Sequence, residues 1–165
     1  MLVAMDTGDV NDTYALAPMI DLAQQNMNVK SMNVLADNWY HTGAQLTACE
    51  SLGVKTFVSP HVNTANPQCN VFSMEQFIYH SVTYIYRCLN HWIMRSNGQA
   101  YQHIGSNRKG IWGPFKQYKT KECIGCPIKE YCTGSPRGRM TQLSIYQSAI
   151  ERNYNRVNSD PNYYR

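Results

Sequence analysis

The spacing of apolar residues near the start of the chain predicts a short strand followed by a helix. Residues 2 to 5 form an apolar run, and Gly, Asn and Asp then follow as in a turn. Asp12 or Thr13 has the residue type preferred at a helix N-cap. The next apolar positions recur every three or four residues, as on the buried face of a helix: Leu16, Met19, Ile20, Ala23 and Met27.

The pattern then continues in the order strand, helix, strand. Residues 31 to 36 are mainly apolar and predict a strand. Thr42 or Gly43 opens a second helix, which Gly53 ends. Residues 54 to 60 predict another strand, which a proline stops. The predicted inward positions of the second helix are Leu46, Cys49 and Leu52.

This alternation of strands and short helices indicates crossover connections and a sheet with parallel strands. The carboxyl ends of such strands meet at one edge of the sheet, so Asp37, directly after the second strand, is predicted to lie there. A carboxylate at this place is a candidate metal ligand. One carboxylate rarely does chemistry alone, so Asp37 would need partners.

The second part of the chain has the composition of loops and antiparallel strands. Residues 76 to 95 are rich in Tyr, Ile and Val and predict a β-hairpin around Leu89, Asn90 and His91. A Gly-rich stretch and a cluster of cysteines precede a final helix, predicted at about residues 142 to 157. The predicted buried face of that helix holds Leu143, Tyr146, Ile150 and Val157.

Length and composition fit a soluble globular protein. The 165 residues allow one ordinary domain, or a domain with a small insert. The mean hydropathy is −0.47, and no apolar run approaches the roughly 18 residues of a transmembrane helix. The first residues lack the basic start and the apolar core of a signal peptide. These features predict a cytoplasmic protein that is not embedded in a membrane.

Charge is distributed unevenly between the two halves. Residues 1 to 70 hold 2 Lys+Arg against 6 Asp+Glu, a net charge of −4, whereas residues 71 to 165 hold 13 against 5, a net charge of +8. The basic residues are densest between positions 108 and 139. Such a half is typical of contact with nucleic acid or another polyanion, and a solvated surface explains it equally well.

Four of the six cysteines form a candidate metal site. Cys123, Cys126 and Cys132 have the spacing C-x2-C-x5-C, and Cys88 ends a predicted strand. Two cysteines separated by two residues can direct both thiolates at one ion from a tight turn, and four thiolates complete the tetrahedral shell of Zn²⁺. The alternatives are a redox pair, disulfides or unliganded thiols. A reducing cytoplasm disfavours disulfides, and the context is unlike that of a thioredoxin-type pair, so the pattern favours structural zinc.

The remaining candidate ligands have no such pattern. Cys49 is predicted to fill the core, and Cys69 is interpreted as an incidental thiol in a loop. A lone histidine is more often a surface or core residue than a ligand, so no histidine is assigned to the site. The histidines considered are His61, His80, His91 and His103.

Motifs in a particular order along the chain are similar to one known family. The strand NVLAD, the helix HTGAQLTACESLGV and the strand KTFVSP are followed by FSMEQFIYHSVTYIYRC, CIGCPIKEYCT, RGRMTQ and a helix that ends in RVNSDPNYYR. This order resembles the bacterial insertion-sequence transposases of the DDE class, in the branch with a cysteine-containing insert. The resemblance covers essentially all 165 residues and rests on the combination, because each motif alone is weak.

The resemblance implies an α/β fold with a partial RNase H-like mixed sheet. Residues 1–60 would form that partial core, residues 61–140 a β-rich, zinc-ribbon-like cysteine insert, and residues 141–165 a helix that returns to the core. Transposases of this family act on DNA at the element ends and the target. Three carboxylates hold two divalent ions, usually Mg²⁺, which promote phosphoryl transfer. Asp37 matches the second of these carboxylates.

The first and third carboxylates of the family have no match in this chain. The first would precede Met1, and the third, a glutamate in a Val-Glu-His-Pro-Phe-Gly motif, would follow Arg165. Asp6, Asp12 and Glu151 match neither position and are better explained as turn, cap and solvated residues. The chain is therefore interpreted as an internal transposase fragment that is inactive by itself.

The alternative function is a non-catalytic, zinc-stabilised module that binds DNA or regulates a full-length transposase. Other enzyme classes have little support. The sequence contains no Gly-rich phosphate loop, no nucleophile elbow and no His-Glu-x-x-His motif.

Overall fold

A computed structural model describes residues 12–60, 71–102 and 113–159. Helices and several small sheets follow one another along these residues, which confirms the predicted mixed α/β class. The strand predicted at residues 2 to 5 lies outside the described part. The chain divides into two units by internal contacts. Unit 1 comprises residues 1–62, 103–113 and 146–165, and unit 2 comprises residues 63–102 and 114–145.

The described residues form four α-helices and eight strands. The helices are α1 (Leu16–Met27), α2 (Gly43–Ser51), α3 (Lys129–Cys132) and α4 (Gln147–Ser159). The strands are β1 (Asn33–Ala36), β2 (Lys55–Val58), β3 (Ile78–His80), β4 (Ile85–Arg87), β5 (Ile93–Met94), β6 (Ala100–Tyr101), β7 (Phe115–Tyr118) and β8 (Thr141–Ser144). Short 3-10 turns occur at Asp12–Tyr14, Asn38–Tyr40, Met74–Gln76 and Lys121–Gly125.

Strands β1 and β2 of unit 1 pair in parallel, as the strand and helix order predicted. Helix α2 forms the crossover between them. Thr42 caps this helix, because its hydroxyl accepts a hydrogen bond from the Gln45 N–H at 3.3 Å. The chain leaves the helix at Gly53, whose φ of +74° suits a residue without a side chain. The predicted start, stop and pairing of this segment are confirmed.

The core of unit 1 is formed by helices α1, α2 and α4 and by residues of the β1–β2 sheet. The predicted inward positions Leu46 and Cys49 are completely buried, and Leu52 packs at the margin. Apolar burial of this kind is the main favourable contribution to folding. The buried residues of this core are Leu16, Ala17, Ile20, Leu46, Cys49, Val54, Val58 and Ala149.

Side chains of α4 cover the edge of β2 that faces away from β1. The fully buried Asn153 accepts a hydrogen bond from the Val58 N–H at 3.0 Å and donates one to the Val58 carbonyl at 2.7 Å. Arg156 donates from Nε to the Thr56 carbonyl at 2.9 Å. These side chains satisfy backbone groups that a further strand would otherwise pair with.

The predicted start of helix α1 is wrong. Asp12 and Thr13 belong to a 3-10 turn, and α1 begins after Ala15, which makes no side-chain cap. Pro18 is tolerated because it lies in the first turn of α1, where backbone N–H groups have no partner within the helix.

The predicted start of the last helix is also wrong. Residues 141 to 144 form β8, which pairs with β7, and α4 begins only at Gln147. Leu143 therefore packs against the buried cluster of unit 2 that contains Tyr118, instead of sharing a helical face with Ile150. The apolar residues of so short a segment suit the repeat of a helix and that of a strand equally well, and pairing with β7 makes the segment a strand.

Unit 2 contains two three-stranded antiparallel sheets, in the orders β3–β4–β5 and β6–β7–β8. The inward residues of the first sheet are Tyr79, Tyr86 and Met94, which lie opposite one another in the register. Tyr118 of β7 packs edge-on against Tyr86, with 5.0 Å between the ring centroids. These aromatic contacts form the core of unit 2.

The predicted hairpin around residues 89 to 91 is confirmed by the pairing of β4 with β5. The Cys88 N–H donates to the Trp92 carbonyl at 3.0 Å and closes the loop. His91 has a φ of +60° within this loop. A second hairpin, between β3 and β4, includes Tyr84 with a φ of +52° and was not predicted.

An ion pair links α2 to α4 in unit 1. Arg152 donates to both carboxylate oxygens of Glu50, at 2.9 and 2.6 Å. These hydrogen bonds are the main reason that the pKa of Glu50 lies below its usual value of 4.5, and the charges of Arg152 and Arg156 lower it further.

We expect the stability of unit 1 to fall at acidic pH through Glu50. Because its pKa is lower in the folded than in the unfolded chain, the carboxylate stabilises fully above the unfolded value, and this contribution disappears as the pH falls through the folded value. Glu50→Gln should flatten this acid dependence, with a small loss at neutral pH because the pair is partly exposed. Urea unfolding at several pH values measures the effect. The matched control is Glu151→Gln on the exposed face of α4, and an unchanged pH dependence in Glu50→Gln would contradict the prediction.

Candidate metal centre

Asp37 lies directly after β1, at the carboxyl end of the parallel pair, where the sequence predicted it. Its side chain is exposed, and Oδ1 accepts a hydrogen bond from the Trp39 N–H at 3.0 Å. This bond caps the 3-10 turn Asn38–Tyr40 and fixes the carboxylate at the edge of the sheet. The side chain of Trp39 is 70% exposed beside it.

Asp37 does not belong to a group of three candidate metal ligands among the described residues. Within the ranges 12–60, 71–102 and 113–159, no three Cys, His, Asp or Glu side chains are arranged as ligands of one metal ion. Glu151 is exposed on α4 and accepts a hydrogen bond from Gln147 at 3.0 Å. Asp6 lies outside the described part. A two-metal carboxylate site is therefore not formed by the residues that the structure describes.

All four predicted cysteines line the same small cavity in unit 2. Cys88 follows β4, Cys123 lies within the 3-10 turn Lys121–Gly125, Cys126 follows that turn, and Cys132 ends α3. Residues more than 30 positions apart in the sequence are thus brought together, as the C-x2-C-x5-C spacing and the strand-end cysteine predicted. Histidine is absent from the described lining of this cavity.

Backbone hydrogen bonds close turns at Cys88 and between Cys123 and Cys126. The Cys126 N–H donates to the Cys123 carbonyl at 3.5 Å, which closes the turn between them, and the His91 N–H donates to the Cys88 carbonyl at 2.9 Å. Nδ2 of Asn90 donates to Sγ of Cys126 at 3.8 Å. This contact orients the Cys126 side chain.

Two residues that support the cysteines were missed by sequence reasoning. Gly138 has a φ of +88°, and a Cβ at this position would overlap the Cβ of Cys123. Arg139 lines the cavity and donates from Nη1 to the Cys132 carbonyl at 3.1 Å, and its guanidinium lies 5.3 Å from the centre of the Phe77 ring. The sequence signal for both residues was the Arg-Gly-Arg stretch at residues 137–139.

The electrostatics of the cavity agree with this grouping. Burial raises the pKa of Cys132, Arg139 opposes the rise, and the charges of Cys123, Cys126 and Cys88 add to it. A metal ion bound among these sulfur atoms would neutralise the repulsion between thiolates and so favour loss of the Cys132 proton.

The side chains that line the cavity are of the type that binds zinc, but they are not arranged around one ion. Four thiols, with no histidine or carboxylate, are the ligands of a tetrahedral zinc site made of cysteines alone. No three ligand side chains of the described part have the arrangement of a bound ion. Zinc binding at these four thiols therefore requires a rearrangement of their side chains.

The other cysteines fit the roles predicted for them where the structure describes them. Cys49 is completely buried in the core of unit 1, as predicted, and this burial raises the pKa of its thiol to about 11. Cys69 lies outside the described residues. The five described cysteines, Cys49 and the four of the cavity, are all unpaired thiols.

Comparison of the chain with protein-family models, curated proteins and solved structures finds no match. None of the helices in the described ranges is long and apolar enough to cross a membrane.

Proposed function

We propose that this chain is part of a DNA transposase of the DDE class, in which Asp37 is one of three metal-binding carboxylates and unit 2 is a zinc-stabilised insert. The main support is the position of Asp37 at the carboxyl end of a parallel strand pair with a helical crossover. The insertion of unit 2 between β2 and α4 of unit 1 adds to this support.

The chemistry assigned to Asp37 is divalent-metal binding for phosphoryl transfer. Two Mg²⁺ ions held by three carboxylates would stabilise the charge that gathers on a phosphodiester in transfer. Asp37 contributes one of the ligand groups, and its capping bond to Trp39 N–H orients it. With one carboxylate, Mg²⁺ keeps most of its water ligands and binds weakly. We therefore expect the chain alone to have no strand-transfer activity.

The partner in this proposal is DNA, and the location is the bacterial cytoplasm, where thiols stay reduced and available to zinc. Unit 2 holds 8 Lys+Arg against 3 Asp+Glu, which favours attraction to a polyanion.

Paramagnetic Mn²⁺ tests the role of Asp37. We expect millimolar Mn²⁺ to broaden the amide signals around residues 36 to 40 in the NMR spectrum of the whole chain. Asp37→Asn should abolish this broadening, because the charged ligand is lost. Asn is as good a cap as Asp, so the turn should remain folded.

The control for this experiment is Asp21→Asn, which removes an exposed carboxylate of α1. Broadening around residue 37 should survive in this variant. Equal broadening in the wild type and in Asp37→Asn, or none near Asp37 in the wild type, would contradict the proposal that this residue is a metal ligand.

The second candidate function is a non-catalytic, zinc-stabilised module that binds or regulates DNA. It is favoured by the four cysteines that line one cavity, whereas Asp37 lies exposed at the sheet edge. The two functions are separable: absence of Mn²⁺ binding at Asp37 together with DNA binding would select the module.

A further inference from the structure

One face of the β3–β4–β5 sheet is turned away from the core of unit 2. Tyr79, Tyr86 and Met94 point inward, so the residues that alternate with them point outward. Ile78, Arg87 and Ile93 lie opposite one another on this outward face, and all three are exposed.

The same face continues onto the second sheet through one backbone pair. The Arg95 N–H donates to the Lys119 carbonyl at 2.9 Å, and the Lys119 N–H donates to the Arg95 carbonyl at 3.1 Å. Arg95 follows the inward Met94 and Lys119 follows the inward Tyr118, so both side chains point outward, and both are exposed. Arg87 is the diagonal neighbour of Arg95, at about 7–8 Å for such a pair.

The three cations of this face, Arg87, Arg95 and Lys119, form no ion pair with an acidic residue in the part of the chain that the structure describes. The chain contains no Asp or Glu between Gln76 and Lys121. Ion pairs between two described residues join only Glu50 to Arg152 and Arg156, in unit 1.

Placing two like charges directly opposite each other on paired strands is unfavourable for folding. The Arg95 and Lys119 pair has this arrangement and no compensating carboxylate. An anion bound across the face would relieve the repulsion. Exposed Ile78 and Ile93 flank the cations, and Tyr84, 67% exposed, lies in the β3–β4 turn. Basic side chains next to apolar and aromatic ones suit a nucleic-acid backbone with its sugars and bases.

We propose that this face, formed by Arg87, Arg95 and Lys119 with the flanking isoleucines, binds the phosphate backbone of a nucleic acid. The inference rests on the proposed function, in which DNA is the partner, and it assigns the contact to a defined surface. The three cations contact phosphates. Because such contacts carry no base information, the binding is independent of sequence.

A salt titration of DNA binding tests this assignment with the whole chain. The probe is a fluorescein-labelled DNA duplex, and anisotropy gives the binding constant between about 50 and 200 mM salt. The variant is the triple substitution Arg87→Gln, Arg95→Gln and Lys119→Gln. We expect weaker binding, and the slope of log K against log salt should become shallower by about 0.9 per lost phosphate contact, or about 2 to 3 in all.

The matched control removes the same charge elsewhere, through Lys30→Gln, Lys55→Gln and Arg137→Gln, all exposed positions. Its salt slope should stay within about one contact of the wild type. Unchanged thermal melting of both triple variants confirms that the comparison is between folded proteins.

Two results would overturn the assignment of binding to this face without affecting the Mn²⁺ test. The first is an equal loss of slope in both triple variants. The second is that poly-L-glutamate displaces the labelled duplex as effectively as unlabelled DNA does. The second result would identify an acidic polypeptide as the partner. Failure of the wild type to bind DNA even at the lowest salt concentration would overturn both this assignment and the DNA partner of the proposed function, while leaving the Mn²⁺ test of Asp37 independent.

Discussion

Replacing Asn153 with leucine is expected to destabilise unit 1 by about 2–6 kcal/mol, because two buried backbone groups lose their partners at about 1–3 kcal/mol each. The N–H and the carbonyl of Val58 both bond to this side chain in a fully buried place. Leucine has a similar size but offers neither donor nor acceptor. A domain has only about 5–15 kcal/mol of total stability, so such a loss is a large fraction of it.

Hydrogen exchange measured by mass spectrometry on peptides that cover β2 gives the local free energy of opening. The matched control is Asn155→Leu, two residues along α4 at an exposed position, where a change within about 0.5 kcal/mol is expected. If the amides of β2 are equally protected from exchange in both variants, the hydrogen bonds of Asn153 do not stabilise the edge of the sheet.

Removing the proposed zinc ion is expected to unfold unit 2 and to leave unit 1 folded. Structural zinc in small sites contributes about 10–16 kcal/mol of apparent binding free energy at neutral pH. The cysteines join the loop after β4, the 3-10 turn Lys121–Gly125 and the end of α3 at one cavity, so their release removes the link between these segments. Hydrogen exchange with and without a chelator should show lost protection in β3, β4, β5 and β7, restored by added zinc.

The substitution Cys126→Ser should reproduce the effect of the chelator. The matched control is Ile124→Ser, in the same 3-10 turn but with its side chain exposed and outside the cavity lining. It should retain the zinc and the protection. Protection of unit 2 that is insensitive to both the chelator and Cys126→Ser would mean that the aromatic core around Tyr86 and Tyr118 suffices.

The features that the sequence predicted correctly depend on local signals. The parallel pair β1–β2 follows from two apolar runs separated by a capped helix, with Thr42 at its start and Gly53 at its end. The meeting of four cysteines follows from their spacing and from a strand end, because tight turns leave few directions for the side chains.

The features that were missed depend on partners distant in the sequence. Residues 141 to 144 have a pattern that suits a helix, and β7, more than 20 positions earlier, makes them a strand. The sequence pattern suggests that Asn153 is an exposed polar residue of a helix, and only its packing against β2 shows that it is buried. The packing of Gly138 against Cys123 is likewise a tertiary contact, which no spacing rule encodes.

X-ray absorption at the zinc edge, on protein purified without added metal, tests the cysteine centre most directly. We expect one zinc per chain, bound by four sulfur atoms at about 2.3 Å, and no zinc in Cys126→Ser. Protein that is folded and free of metal, or zinc surrounded by nitrogen and oxygen atoms, would contradict the assignment of Cys88, Cys123, Cys126 and Cys132 as its ligands.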